Sequence, residues 1–327
     1  MLHITDDERR ARLAARHAIA PGERLVDPEA ATRAMTVLHA TEPASVYLSV
    51  AARTEGVGIE KISTVLYDER SLVKQLAMRR TLWVFPRDLL PAAWGSVSAR
   101  VATQEQRKIA KDVAGSGIAP DGDRWVEESS EAILAELAAS GSLTTAQIKD
   151  RVPQVAGKVS ISPGTKWGGD VPLAPRLMAL LGARGDVVRG ENSGSWRLSR
   201  IGWTPTARWL GESPEPTSEQ EGYAELVRRW LLTFGPGTLR DLQWWLGTTI
   251  TAARRALADV GAVEVSLDAG GTGWVHPKDA DPDGRIAPVQ PWAALLPVLD
   301  PTTMGWKERD FYLDREDVPY LFDTNGN

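Results

Sequence analysis

The chain has 327 residues, 43% of them hydrophobic and 25% charged, the balance of a folded protein of two or three domains. It contains no cysteine, which excludes disulfides, thiolate metal sites and a cysteine nucleophile. No apolar run approaches the ~20 residues of a membrane helix, and the charged start Met1–Arg10 lacks the apolar stretch of a secretory signal, so a cytoplasmic location is expected. The net charge of −5 argues against a polyanionic partner until its distribution is read. Residues 151–210 carry nine Lys/Arg against three acids, whereas 121–150 carry seven acids against two bases. Arginine outnumbers lysine 29 to 9, which suits forked contacts to phosphate. The histidines at 3, 17, 39 and 276 form no pair at metal-ligand spacing, so neither a metal nor another cofactor is expected.

In chain order, helices are predicted at 28–38, 44–53 and 59–66. An apolar–turn–apolar hairpin follows over 71–85, and 86–120 reads as a helical connector. The next stretch repeats this plan twice. The first copy has a helix at 126–137, a short helix capped by Thr144, a helix from Pro172 to Leu181, and a hairpin over 186–198. The second has a helix at 223–232, a short helix capped by Thr238, a helix at 249–260 and a hairpin over 262–276. Thr144 aligns with Thr238, Gly185 with Gly261, and Trp196 with Trp274. Helix, capped short helix, helix and hairpin is the winged-helix plan. The expected fold class is therefore mainly α with small β-hairpins (α+β). The expected domains are 1–120 (winged helix plus connector), 121–212 (second winged helix), 217–277 (third), and 285–327, the start of a β-rich domain. Such an array serves either as a protein-interaction scaffold or to bind duplex DNA. Arg79, Arg80, Arg189 and Arg197 beside the hairpins favour DNA, with Lys166 as a phosphate contact and Trp167, Trp196 and Trp274 as wedging or stacking residues. Trp230, Trp244 and Trp245 read as core. The glycine-rich 164–169 segment follows no strand and is not a phosphate loop.

The segment Leu38-His-Ala-Thr-Glu-Pro-Ala-Ser-Val-Tyr-Leu-Ser-Val-Ala-Ala-Arg53 resembles a signature of the AlkZ/YcaQ-type winged-helix proteins, some of which are DNA glycosylases acting on alkylated purines and crosslinks. Tyr67–Val73, Met78–Leu82, Leu299–Arg309 and Leu321–Asn327 are similar to the same family, in which the last domain continues past the position of Asn327. The resemblance implies a monomer acting on damaged double-stranded DNA, without membrane association. The characterised members carry glutamine, an apolar residue, then glutamine or aspartate where this chain has His39-Ala40-Thr41. Trp83 stands where related chains have histidine. His39 and Thr41, two apart on an extended segment, are expected to face one cavity, because Pro43 disfavours helical backbone at Glu42. His39 is a candidate for activating a water, Thr41 for orienting it, and Glu42 is the alternative base or a stabiliser of the cationic sugar. The expected reaction is monofunctional glycosylase chemistry. Alternatives are a DNA-binding regulator without catalysis and a protein that binds a DNA-reactive natural product or its adduct.

Overall fold

The computed structural model describes residues 1–327 apart from 162–167, 282–289, 325 and 327. About half of it is helical, with small sheets.

An N-terminal strand β1 (Leu2–Ile4) leads into α1 (Asp6–Arg16), capped by Thr5. The first repeat of the fold is α2 (Pro28–Ala34), β2 (Leu38–His39), α3 (Pro43–Arg53), α4 (Ile59–Ser63, continued by a wider turn through Asp68), β3 (Leu72–Ala77) and β4 (Thr81–Pro86). Its sheet has the order β2-β4-β3, all antiparallel. Two helices follow, α5 (Leu90–Gly95) and the 19-residue α6 (Val97–Gly115).

The second repeat is α7 (Gly122–Ser140), α8 (Thr145–Arg151), an inserted hairpin β5 (Lys158–Ile161) and β6 (Gly169–Pro172), α9 (Leu173–Arg184), β7 (Val187–Asn192) and β8 (Ile201–Pro205). The short α10 (Thr206–Leu210) leads out of it. The third repeat is α11 (Glu219–Phe234), α12 (Leu239–Leu246), α13 (Ile250–Val260), β9 (Val263–Leu267) and β10 (Thr272–Val275). Thr144 and Thr238 each close a capping box, with Gln147 and Asp241, and so satisfy the first orphan N–H groups of α8 and α12.

The repeats align differently from the sequence expectation. The second hairpin is longer, with β8 beginning at Ile201, so Trp196 and Arg197 lie in the intervening loop. The residue bridging back to the turn before the short helix is Trp203, opposite Leu143, as Trp274 lies opposite Gly237. Trp203, not Trp196, is thus the counterpart of Trp274.

Two large cores hold the molecule. One joins Val101, Ile109 and Val113 of α6 to α7, α8, α9 and Trp203. The other gathers residues 13–97 together with the third repeat and Trp306 and Phe311. A small third core forms where β1 pairs in parallel with β9.

The expected β-rich start after 285 is corrected: among the described residues this segment has no strand, only α14 (Pro301–Met304) and α15 (Val318–Leu321). Trp292, Ala294 and Leu296 pack on the larger core with alternating exposure. No neighbouring backbone among the described residues completes a ladder there. The segment is anchored instead by Asp300. Its carboxylate is fully buried and takes both Nη atoms of Arg53 at 2.8 and 2.7 Å, Ser49 Oγ at 2.8 Å and the Thr302 amide at 2.9 Å.

Candidate functional site

The site is built from the bottom of β2. His39 lies opposite Trp83 of β4, and the Ala40 amide extends the ladder by one bond to the Leu82 carbonyl. There the chain bends at Thr41 and Glu42, and Pro43 opens α3. Glu42 is extended (φ −92°, ψ 118°), as the proline requires. It occupies the N-cap position of α3 but makes no capping bond with its side chain, which leaves the carboxylate exposed beside the positive end of the helix.

The expected pairing of His39 with Thr41 is not what the bend produces. His39 is 3% exposed while Thr41 and Glu42 are exposed, because strand alternation ends where the ladder ends. The imidazole lies against Trp83 at 3.7 Å between ring centroids, and neither ring nitrogen has a hydrogen-bond partner. Burial, then the nearby charge of Arg79, push its pKa down to about 3, against a weaker upward pull from Asp300. It is neutral at physiological pH and a weak proton acceptor. Trp83 is itself 1% exposed, its indole N–H donates to the Met78 carbonyl, and its ring continues to Trp245 at 6.1 Å.

Leaving a buried polar group without partners costs about 1–3 kcal/mol. His39→Leu, similar in volume, is therefore expected to raise unfolding free energy at pH 7 by about 1 kcal/mol or more. A second buried histidine, His17, also titrates at about 3, for which burial is the main cause. It donates from Nε2 to the Thr233 carbonyl and accepts the Thr302 hydroxyl at Nδ1. With both folded-state values depressed below the unfolded 6.5, protons bind the unfolded chain first. Stability is full above pH 6.5 and falls as pH drops toward 3, by about 1.4 kcal/mol per pH unit for each histidine. Urea unfolding at pH 7 and 5 measures this slope, and His39→Leu should roughly halve it. Identical slopes in wild type and variant would refute the assignment.

The hairpin arginines fall into different settings. Arg79 and Arg80 form the β3–β4 tip with left-handed backbone (φ 54° and 59°). The Arg79 guanidinium lies over Trp244 at 4.0 Å, and its pKa is lowered to about 10 by burial and by Arg309, so this side chain packs against α12. Arg80 is exposed and pairs with Glu105 at 2.8 Å. Arg189 is half-buried over Trp203 at 5.3 Å, beside Lys74, whose pKa falls to about 8 through burial and the Arg189 charge. Arg197 is exposed and lies over Trp196, whose ring is 5.6 Å from Tyr47 of α3. The structure thus brings His39, Trp83 and the Arg79–Arg80 tip together on one sheet, and carries the Arg197 loop to α3. Arg189 lies against Lys74 on the other face of the same sheet. Lys166 and Trp167 lie outside the described residues. Trp274 is half-buried against the larger core.

The sequence reading missed Glu105, buried at 3% on α6, which holds Lys108 at 3.3 Å as well as Arg80. Its signal was one acid on the apolar side of an otherwise basic helix. Cavities of about 570 Å³ (walled by Arg10, Trp292 and Tyr312) and about 480 Å³ (walled by Arg9, Arg240 and Lys307) open elsewhere, and neither touches His39. Among the described residues no group of three or more His, Asp or Glu could hold a metal ion, and no helix is long and apolar enough to cross a membrane.

The family described as "DNA glycosylase AlkZ-like" matches residues 32–327, which takes in the His39–Glu42 segment. The fold is similar to that of Streptomyces sahachiroi DNA glycosylase AlkZ, with a TM-score of 0.76, 19% identity, and coverage of 99% of this chain and 84% of that one. No curated protein matches in sequence.

Proposed function

The chain belongs to the AlkZ-like DNA glycosylase family, and from that premise we propose that it binds damaged duplex DNA and hydrolyses the N-glycosidic bond of an alkylated or bulky-adduct purine. The observation that carries this reading is the family match running through Thr41 and Glu42, the two exposed polar groups at the start of α3. Each repeat runs helix, strand or bridge, helix, helix and hairpin, which supports reading the three as winged helices presented to DNA.

The chemistry asks little of the protein. An N7-alkylated purine is already cationic, so the C1′–N9 bond breaks with its electron pair neutralising the departing base. Positive charge grows on the sugar, and water adds to C1′. The Glu42 carboxylate, unspent on capping, faces that charge and takes the proton lost by the water. Thr41 orients the water. Neutral His39, buried against Trp83, supports the segment from below and is neither the base nor a contact to the DNA. The products are a free purine and an abasic site.

The test incubates the protein in excess with duplex containing N7-methylguanine and measures free base and abasic sites. Release above the spontaneous rate supports the proposal. One observation favours a DNA-binding protein without catalysis, the 3% exposure of His39; salt-sensitive DNA binding with no base release would put that reading first.

A further inference from the structure

We infer that the solvent face of α6 is a rail for the sugar–phosphate backbone of duplex DNA, an inference that rests on the DNA-binding reading above and assigns it a surface. Arg100, Arg107, Lys108 and Lys111 fall within an arc of about 100° at 100° per residue and span ~16 Å of helix. Duplex DNA presents one charge per about 1.7 Å, so that length faces on the order of ten phosphates. The far side of the helix, Ala102, Ile109, Ala110 and Val113, is buried, which fixes the basic face outward.

Three observations separate this face from an ordinary solvated one. Its acids are neutralised or turned away: Asp112 is paired with Arg176 at 2.7 Å, and buried Glu105 serves Arg80 and Lys108. Arg107 and Lys111 are exposed and form no ion pair among the described residues. The adjacent α7, also 19 residues long, is the reverse, exposing Asp123, Glu127, Glu128 and Glu131 with Arg124 as the single exposed base. A solvated helix normally mixes signs; here they are segregated between neighbours. The rail is also held in place. Arg100 Nε donates to the Gly247 carbonyl at 3.1 Å, pinning the start of α6 to the α12–α13 turn. Glu105 meanwhile draws Arg80 across from the β3–β4 tip onto the same face.

The experiment measures affinity of the full chain for undamaged duplex across about 50–200 mM salt. In Arg107→Ala/Lys108→Ala/Lys111→Ala, the slope of log affinity against log salt is expected to shrink by about 2.7, from roughly 0.9 per lost phosphate contact. Arg124→Ala on α7 should leave the slope unchanged, and thermal unfolding of the triple variant should match wild type because the residues are exposed. A wild-type slope in the folded triple variant overturns the rail alone, including the case in which α6 docks an acidic protein instead. Absence of salt-dependent binding by the wild type overturns the DNA reading itself.

Discussion

Glu42→Gln is expected to lower base release by a factor on the order of 10²–10⁴ while leaving DNA affinity nearly unchanged. The substitution keeps side-chain shape and removes the charge and proton affinity, the two properties the reaction asks of this position. His39→Gln should stay within about tenfold of wild type, since glutamine keeps a neutral hydrogen-bonding group but is no proton acceptor. A buried imidazole titrating at about 3 is not matched to a base's task near neutrality. Thr41→Val should fall between the two. Single-turnover rates on N7-methylguanine duplex decide the matter. If His39→Gln abolishes turnover while Glu42→Gln retains it, the histidine is the base and the assignment is reversed.

Asp300→Ala is expected to cost about 3–5 kcal/mol of folding stability, a large share of the ~5–15 kcal/mol a folded chain has. The carboxylate is 0% exposed, as is Arg53, and removing it leaves a guanidinium buried with only the Ser49 carbonyl and Thr302 hydroxyl as partners. The loss reaches past the pair, because Thr302 also bonds His17 and Ser49 bonds Asp300 directly. The double variant Arg53→Met/Asp300→Leu should recover much of the loss, since apolar replacement of both partners removes the uncompensated charge. Urea unfolding of the three proteins measures the effect. A cost below about 1 kcal/mol for Asp300→Ala would show that the pair is not a structural anchor.

The sequence was legible where local chemistry decides structure. Thr144 and Thr238 cap the helices expected of them, and the α3 and α13 boundaries follow their apolar spacing, with Thr249 capping α13 rather than opening it. It was silent where partners lie far away in the chain. Strand β1 has three residues and exists only because β9 lies beside it, over 260 residues on. Helix α1 buries Arg9 and Arg12, the latter paired with Glu8, so its core face reads as polar. Trp196 and Trp203 were exchanged because both follow glycine-bearing stretches and only the bridge to Leu143 distinguishes them. At the site, two-residue spacing implied a shared face for His39 and Thr41. That rule holds only while a strand continues, and the ladder ends at Ala40.

The parallel pairing of β1 with β9 sets the order in which the chain can finish during synthesis. The core around α6 draws its residues from 101–203, so the middle third can bury its apolar surface as soon as it has left the ribosome. The larger core needs Trp230, Phe234 and Trp306 alongside residues from the first hundred. Residue 2 has no strand to join until residue 265 has been made. The earliest part of the polypeptide is therefore the last to be completed, and a nascent chain that has emerged only as far as residue 210 would carry a finished centre between an unfinished start and the ribosome.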